Sequence, residues 1–238
     1  MTRQGSTDEG ASSGTVLALG ERLEQLAEEV GRYGPRSVPT ALRTEHVLTA
    51  ATLAFVRDGF DGTSMDRIAD LAHVSKPVVY SLYESKEALF AAVIDRSSDE
   101  LSERLRTAVG PAGVAGSSPL ERGVRAYLDY VVARQHLWGR LLVSSNHRAV
   151  TAAVDRLRAQ QVDVVAAAVR DARQARGLPT DRREADAIAT GLVGAIDAMG
   201  RWWLVNDDVD LDTLVTFITS TVRPMTTADG SLRQGPRG

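Results

Sequence analysis

Residues Thr63 to Leu89, TSMDRIADLAHVSKPVVYSLYESKEAL, contain three helix starts in quick succession. Thr63 can cap a helix whose third residue is Asp66, a capping-box arrangement. That helix carries Met65, Ile68, Ala69 and Leu71 and ends near Ala72. Ser75 can cap a second, short helix with Pro77 in its first turn, where a missing N–H does no harm. Ser85 can cap a third that begins Lys86-Glu87-Ala88-Leu89-Phe90. His73 to Ser75 is all that links the first two. A short helix, a tight turn and a second short helix have the spacing of a DNA-binding helix-turn-helix.

Bulk composition gives that reading no help. The 238 residues carry a formal net charge of −3, so the chain as a whole is not a basic nucleic-acid binder. Lys76 and Lys86 are the only lysines among 28 basic residues, and both fall in this stretch. The absence of cysteine excludes disulfides, thiolate chemistry and cysteine-ligated zinc. His46, His73, His136 and His147 show no metal-ligand spacing, and no cofactor motif, nucleophile elbow or phosphate loop occurs. The chain therefore reads as no enzyme, with no metal and no cofactor. No run of about 18 apolar residues marks a membrane span. The N-terminus lacks the pattern of a secretion signal, so the cytoplasm is the expected compartment.

The remainder reads as helices throughout, an all-α fold. Residues 1 to 14 are Gly/Ser/Thr-rich and expected to be disordered. Val16 to Val30 has amphipathic helical spacing, and Arg32 and Arg36 could serve an arm on DNA. Thr40 to Arg57 should be helical, stopped by Gly59, with Phe60 returning to the core. A long helix follows from Ser85 to about Val109. GPAGVAGSS, Gly110 to Ser118, is the best linker candidate. Further helices are expected over Leu120 to Ser144, Ala149 to Arg176, Asp181 to Val205 and Leu211 to Val222, the last ended by Pro224. The resulting division is a flexible N-terminal extension with one helix (1–37), a helix-turn-helix DNA-binding domain (38–96), a helical effector-binding and dimerisation domain (97–225) and a disordered tail (226–238).

Thr40 to about Asp95 resembles the N-terminal domain of the TetR family of bacterial transcriptional regulators. The resemblance rests on AATLAF…DGFDGTSMDRIAD followed by AHVSKPVVYSLYESKEALF. The family has glycine where this chain has His73, and phenylalanine where it has Tyr83. Histidine tolerates positive φ better than most residues, at a strain of about 1 kcal/mol. The resemblance implies that Ser75 to Tyr83 enters the major groove. Lys76 would touch a base or phosphate, Val78 or Val79 a thymine methyl, and Tyr80 a phosphate. Tyr83 could add a hydroxyl contact. Lys86 would meet a phosphate at the start of its helix, and Thr63 or Ser64 would do so on the other flank.

One short helix covers part of one groove, so the family plan implies a homodimer on a near-palindromic double-stranded operator. By resemblance the dimer surface is the last two helices. Small Gly191, Gly194, Ala195 and Ala198 would admit close approach, and Leu192, Met199, Leu214 and Ile218 would fill the interface. The family also implies a cavity for a small hydrophobic ligand. Its candidate walls are Tyr127, Val131, Leu137, Trp138, Leu141, Leu157, Val165, Trp202 and Trp203, with Arg140, Asn146, His147 and Asp197 as polar groups. The segment GLVGAIDAMGRWWLVNDDVDLDTLV resembles actinobacterial regulators of lipid and fatty-acid metabolism, which points to an acyl-CoA or other lipid effector. The expected function is a ligand-released repressor. Two other readings stay open, a transcriptional activator and a helical protein-interaction module without DNA binding.

Overall fold

The computed structural model describes residues 6–34, 37–110, 117–133, 148–178, 181–203, 206 and 208–227. Among these the fold is all-α, without a strand. The helices are α1 (Ser6–Gly31), α2 (Thr40–Gly62), α3 (Met65–Leu71), α4 (Lys76–Leu82), α5 (Lys86–Val109), α6 (Pro119–Ala133), α7 (Arg148–Gln174), α8 (Arg182–Trp203) and α9 (Leu211–Thr227). The chain forms two compact units, Met1–Arg96 with Ala133–Val154, and Ser97–Val132 with Asp155–Gly238. The division falls inside α5, between Arg96 and Ser97, and not at the glycine-rich stretch 110–118, of which 111–116 lie outside the described residues.

In the first unit α2 is buried without a break from His46 to Val56. A helix lying on one surface would bury a stripe; burial of every face requires neighbours all round. Its small residues Ala50, Ala51 and Ala54 let them approach. Helix α1 packs along α2 through Leu23 and Leu26, and α3 packs on it as well. It begins at Ser6, ten residues ahead of the expected Val16, so the segment taken for disordered is in part helical. On α5, Arg96 donates to Thr52 Oγ1 at 2.7 Å and to both carboxylate oxygens of Glu45 at 3.3 Å.

Gly59 breaks α2 with φ 73° and ψ 176°, a conformation open to glycine and strained for other residues. The break turns Phe60 inward. Its ring meets Phe90 edge-on at 5.1 Å, and Phe90 meets Phe55 at the same distance. All three rings are buried, an arrangement favoured by the ring quadrupoles.

In the second unit α6, α7, α8 and α9 share a core of Val124, Leu128, Ala166, Val169, Ala185, Ala189, Leu192, Leu214, Val215, Ile218 and Val222. Ser118, Asp181 and Asp210 cap α6, α8 and α9 by accepting from Glu121 N, Glu184 N and Thr213 N. Gly177, at φ 71°, closes α7 in a Schellman turn in which Leu178 N donates to Arg173 O. Arg122 donates to the carbonyls of Ala108, Gly110 and Ser117, which satisfies the end of α5. Pro224 does not end the last helix, which runs on to Thr227 and so into the expected tail. The proline lies one turn from that end, and the carbonyl it cannot serve, that of Ser220, belongs to an exposed residue that water can reach.

Candidate nucleic-acid interface

The turn between α3 and α4 is made by His73, which carries φ 49°. His73 N donates to Asp70 O and Val74 N to Ala69 O, the two bonds of a Schellman cap. That cap normally takes glycine at this position, so the histidine bears the strain the sequence implies. Helix α4 starts after Ser75, whose side chain makes no capping bond. Ser85 does cap α5, accepting from Ala88 N at 3.1 Å.

Three of the expected DNA contacts have other duties. Thr63 is buried, and its hydroxyl donates to Gly59 O at 2.7 Å. The cap of α3 is its neighbour, Ser64, which accepts from Arg67 N at 3.1 Å and is exposed. Val79 is fully buried, because on a seven-residue helix one side must face the core and Val79 lies on it. Lys86 turns inward. Its Nζ donates to Phe60 O at 2.8 Å and Thr63 O at 3.0 Å, and stands 4.4 Å from the centre of the Phe60 ring. The ammonium thus satisfies the broken end of α2 and ties it to α5, which is a positioning role.

The outward face of α4 is left with Ser75, Lys76, Tyr80 and Ser81, with Val78 half-buried beside them. Tyr80 is 45 % exposed. Lys76 Nζ lies 2.8 Å from Asp66 Oδ1 and 6.0 Å from the Tyr80 ring centre. Sequence reading passed over Asp66 as a partner of Lys76; the two stand ten positions apart, and only the tight turn brings them together. Tyr83 is half-buried, and burial pushes its hydroxyl above the usual tyrosine range. The exposed side of α4 offers the Lys76 ammonium, a phenol and small hydroxyls, groups that suit groove contact.

On α2, His46 is buried with neither ring nitrogen partnered among the described residues. Burial, and then the nearby His73, lower its pKa from 6.5. The unfolded chain therefore takes up this proton first. Its contribution to stability is complete above pH 6.5 and is lost as pH falls through the lowered folded value. Denaturant melts from pH 8 to pH 5 should show that loss, with a slope of at most about 1.4 kcal/mol per pH unit from this group. His46→Leu should remove that part of the slope, and an unchanged profile would count against it.

The expected effector residues separate. Tyr127 and Val165 pack against the core of the second unit, and Val131 is half-buried. Trp202 is 53 % exposed and forms no interior wall, whereas Trp203 packs on the core and donates to Val209 O at 2.6 Å. Leu137, Trp138, Arg140, Leu141, Asn146 and His147 lie outside the described residues. A shallow groove of about 370 Å³, lined by Glu103, Arg104, Thr107, Ala108, Ala126 and Asp129, contains none of the candidates.

Of the expected dimer residues, Leu192, Leu214 and Ile218 are buried in the core of their own unit. They belong to the inward faces of α8 and α9. At Gly191 a Cβ would meet only the terminal methyl of Met225, a flexible side chain that can shift aside. Ala195 and Met199 are partly buried against the same core. The outward faces carry Ala187, Thr190, Gly194, Ala198 and Trp202 on α8, and Thr213, Phe217, Ser220 and Thr221 on α9. A Cβ at Gly194 would meet nothing within 4 Å, and Phe217 is 60 % exposed. Phe217 was legible as a large apolar residue beside the Leu214–Ile218 stripe and not within it, and was missed.

Residues 47–93 match the family described as bacterial regulatory proteins, tetR family. The chain is 33 % identical over 199 residues to the HTH-type transcriptional activator FasR of Mycolicibacterium smegmatis, covering 82 % of this chain and 88 % of that protein. It is 32 % identical over 161 residues to the HTH-type transcriptional repressor SCO4008 of Streptomyces coelicolor, covering 67 % and 77 %. A TetR-like transcriptional regulator from Rhodococcus sp. RHA1 superposes with a TM-score of 0.57 at 27 % identity, covering 80 % of this chain and 98 % of that one. These relatives are regulators and not enzymes.

Proposed function

Because the chain belongs to the TetR family of DNA-binding transcriptional regulators, we propose that it acts as a cytoplasmic homodimer on a near-palindromic operator and is released by a small hydrophobic effector. The observation that carries the DNA half is the exposed face of α4, where Lys76 and Tyr80 stand clear of the core with Ser64 on the flank. The domain plan 38–96 for DNA and 97–225 for effector and partner goes with this reading. So does a modified dimer surface, centred on Phe217, Trp202, Gly194 and Ala198 in place of the buried Leu192, Leu214 and Ile218. Two large exposed apolar side chains beside small ones are what a close helix-on-helix contact needs.

Effector binding would favour a conformation whose two heads no longer match the operator spacing. Repression is the primary reading. Activation is the second, favoured by the kinship to a protein named as an activator; protein–DNA contacts are the same in both, and the position of the operator sets the sign.

Selection from a random duplex pool with the full chain should yield a near-palindrome, bound by a dimer in analytical ultracentrifugation. Phe217→Glu should give monomers and lower operator affinity at least about tenfold, since two half-sites are then no longer bound together. No enriched duplex, or a Phe217→Glu protein that stays dimeric, would contradict the respective half of the proposal.

A further inference from the structure

The ammonium on the exposed side of α4 is already answered by a carboxylate of α3. Lys76 Nζ lies 2.8 Å from Asp66 Oδ1 and donates to Oδ2 at 3.1 Å. It also stands 6.0 Å from the Tyr80 ring centre. The two side chains are 54 % and 62 % exposed, and an ion pair that open contributes little to stability. It joins the starts of both helices. Asp66 is in the first turn of α3, two positions after the exposed Ser64, and Lys76 opens α4. The head around the pair is not basic. Residues 38–96 carry six Lys and Arg against eight Asp and Glu, a net charge of −2. Elsewhere in it Lys86 is held by two carbonyls, Arg96 meets Glu45, and Arg67 lies 3.8 Å from Asp58.

Such a pair treats phosphates and bases differently. Non-specific binding draws on free cations that neutralise phosphates. A phosphate brought to Lys76 would also meet Asp66, like charge against like, and would have to pull the ammonium off it. The major-groove edge of guanine presents two acceptors, O6 and N7, and no formal charge. An ammonium has three donors, so one can face such an edge while Asp66 keeps another. The pair also fixes a long side chain whose rotamer freedom would otherwise be lost on binding. We propose that Asp66 is a specificity-determining residue. It positions Lys76 for a guanine edge and withholds it from phosphates, so the head holds its operator and passes over other DNA. This inference rests on the placement of DNA on α4 above and adds what sets the discrimination.

Fluorescence anisotropy of the full chain on its selected operator and on a random-sequence duplex of the same length tests it. Asp66→Asn should tighten binding to the random duplex about tenfold, since each head then gains a free cation, and should change operator affinity by less. The ratio of the two affinities therefore falls several-fold. Selection repeated with Asp66→Asn should lose a guanine that the wild type enriches at one position of each half-site. Asp66→Glu, which can still reach Lys76, should keep most of the ratio. Asp70 is exposed on the same helix, so Asp70→Asn removes the same charge and should shift both affinities alike. In a Lys76→Ala background Asp66→Asn should also shift both alike, because the carboxylate then has no ammonium to aim. A wild-type ratio in Asp66→Asn, an equal fall in Asp70→Asn, or a fall that persists without Lys76 would overturn the role of Asp66. In each of those cases a wild-type protein that still holds its selected operator keeps the DNA-binding assignment. A wild type that holds no duplex would sink both.

Discussion

Glu184→Ala should destabilise the protein by about 3–5 kcal/mol, the loss typical of breaking a buried ion pair from one side. Arg173 is among the most deeply buried side chains of the chain, 2 % exposed, and its Nη2 lies 3.2 Å from Glu184 Oε1. Glu184 sits in the first turn of α8 and is itself buried. Removing the carboxylate takes an anionic partner from a guanidinium that is 2 % exposed, where water offers little replacement. At this chain length the melting midpoint should fall by about 10 °C. Glu184→Gln keeps an acceptor and should cost less. Replacing both partners by apolar residues of similar volume should cost far less than either single change. If Glu184→Ala melts within 2 °C of wild type (a shift of roughly 1 kcal/mol or less), the pair does not hold α7 to α8 as described.

Phe90→Ala should cost a similar amount, about 3–5 kcal/mol, but in the first unit. Phe90 stands at the centre of the three-ring cluster, 5.1 Å from both Phe55 and Phe60. Its loss leaves a cavity at the place where α5 meets both parts of the broken α2. Phe60 is also the residue whose carbonyl and ring hold Lys86. The expected result is therefore a head that no longer presents α4, with operator binding lost and the far-ultraviolet helix signal reduced. A Phe90→Leu variant should retain most of the binding. Full operator affinity in Phe90→Ala would mean that the aromatic cluster does not set the position of the reading helix.

The helix-turn-helix was legible because its signals are local. The Ser85 cap, a cap at Ser64 one position from the expected Thr63, one proline in a first turn and a glycine at a break act within a few residues of themselves. They located α2 to α5 to within a few positions. What was not legible was which side of each helix faces inward, because that is decided by partners distant in sequence. Val79 and Val78 are equivalent as residues; only the packing of α4 buries the first. Lys86 read as a phosphate contact because a cation at a helix start suggests an anion. Its carbonyl partners lie 23 and 26 positions back, brought near by the Gly59 break. The same logic misplaced Leu192, Leu214 and Ile218. An apolar stripe on two adjacent helices can face a partner or its own core, and periodicity is identical in the two cases. Pro224 misled for a different reason, since a proline near an exposed helix end forfeits one hydrogen bond and little else.

The most direct measurement on the central claim is the salt dependence of operator binding by fluorescence anisotropy, for wild type, Lys76→Ala, Tyr80→Ala and Lys86→Met. The account predicts that log affinity falls linearly with log salt in the wild type. Lys76→Ala should shallow that slope by about one per head, and Tyr80→Ala should weaken every duplex at nearly constant slope. Lys86→Met should keep the wild-type slope while its melting midpoint drops, because its ammonium is held by Phe60 and Thr63. A wild type insensitive to salt, or a Lys86→Met protein that melts normally but loses the slope that Lys76→Ala retains, would contradict the placement of DNA on the exposed face of α4.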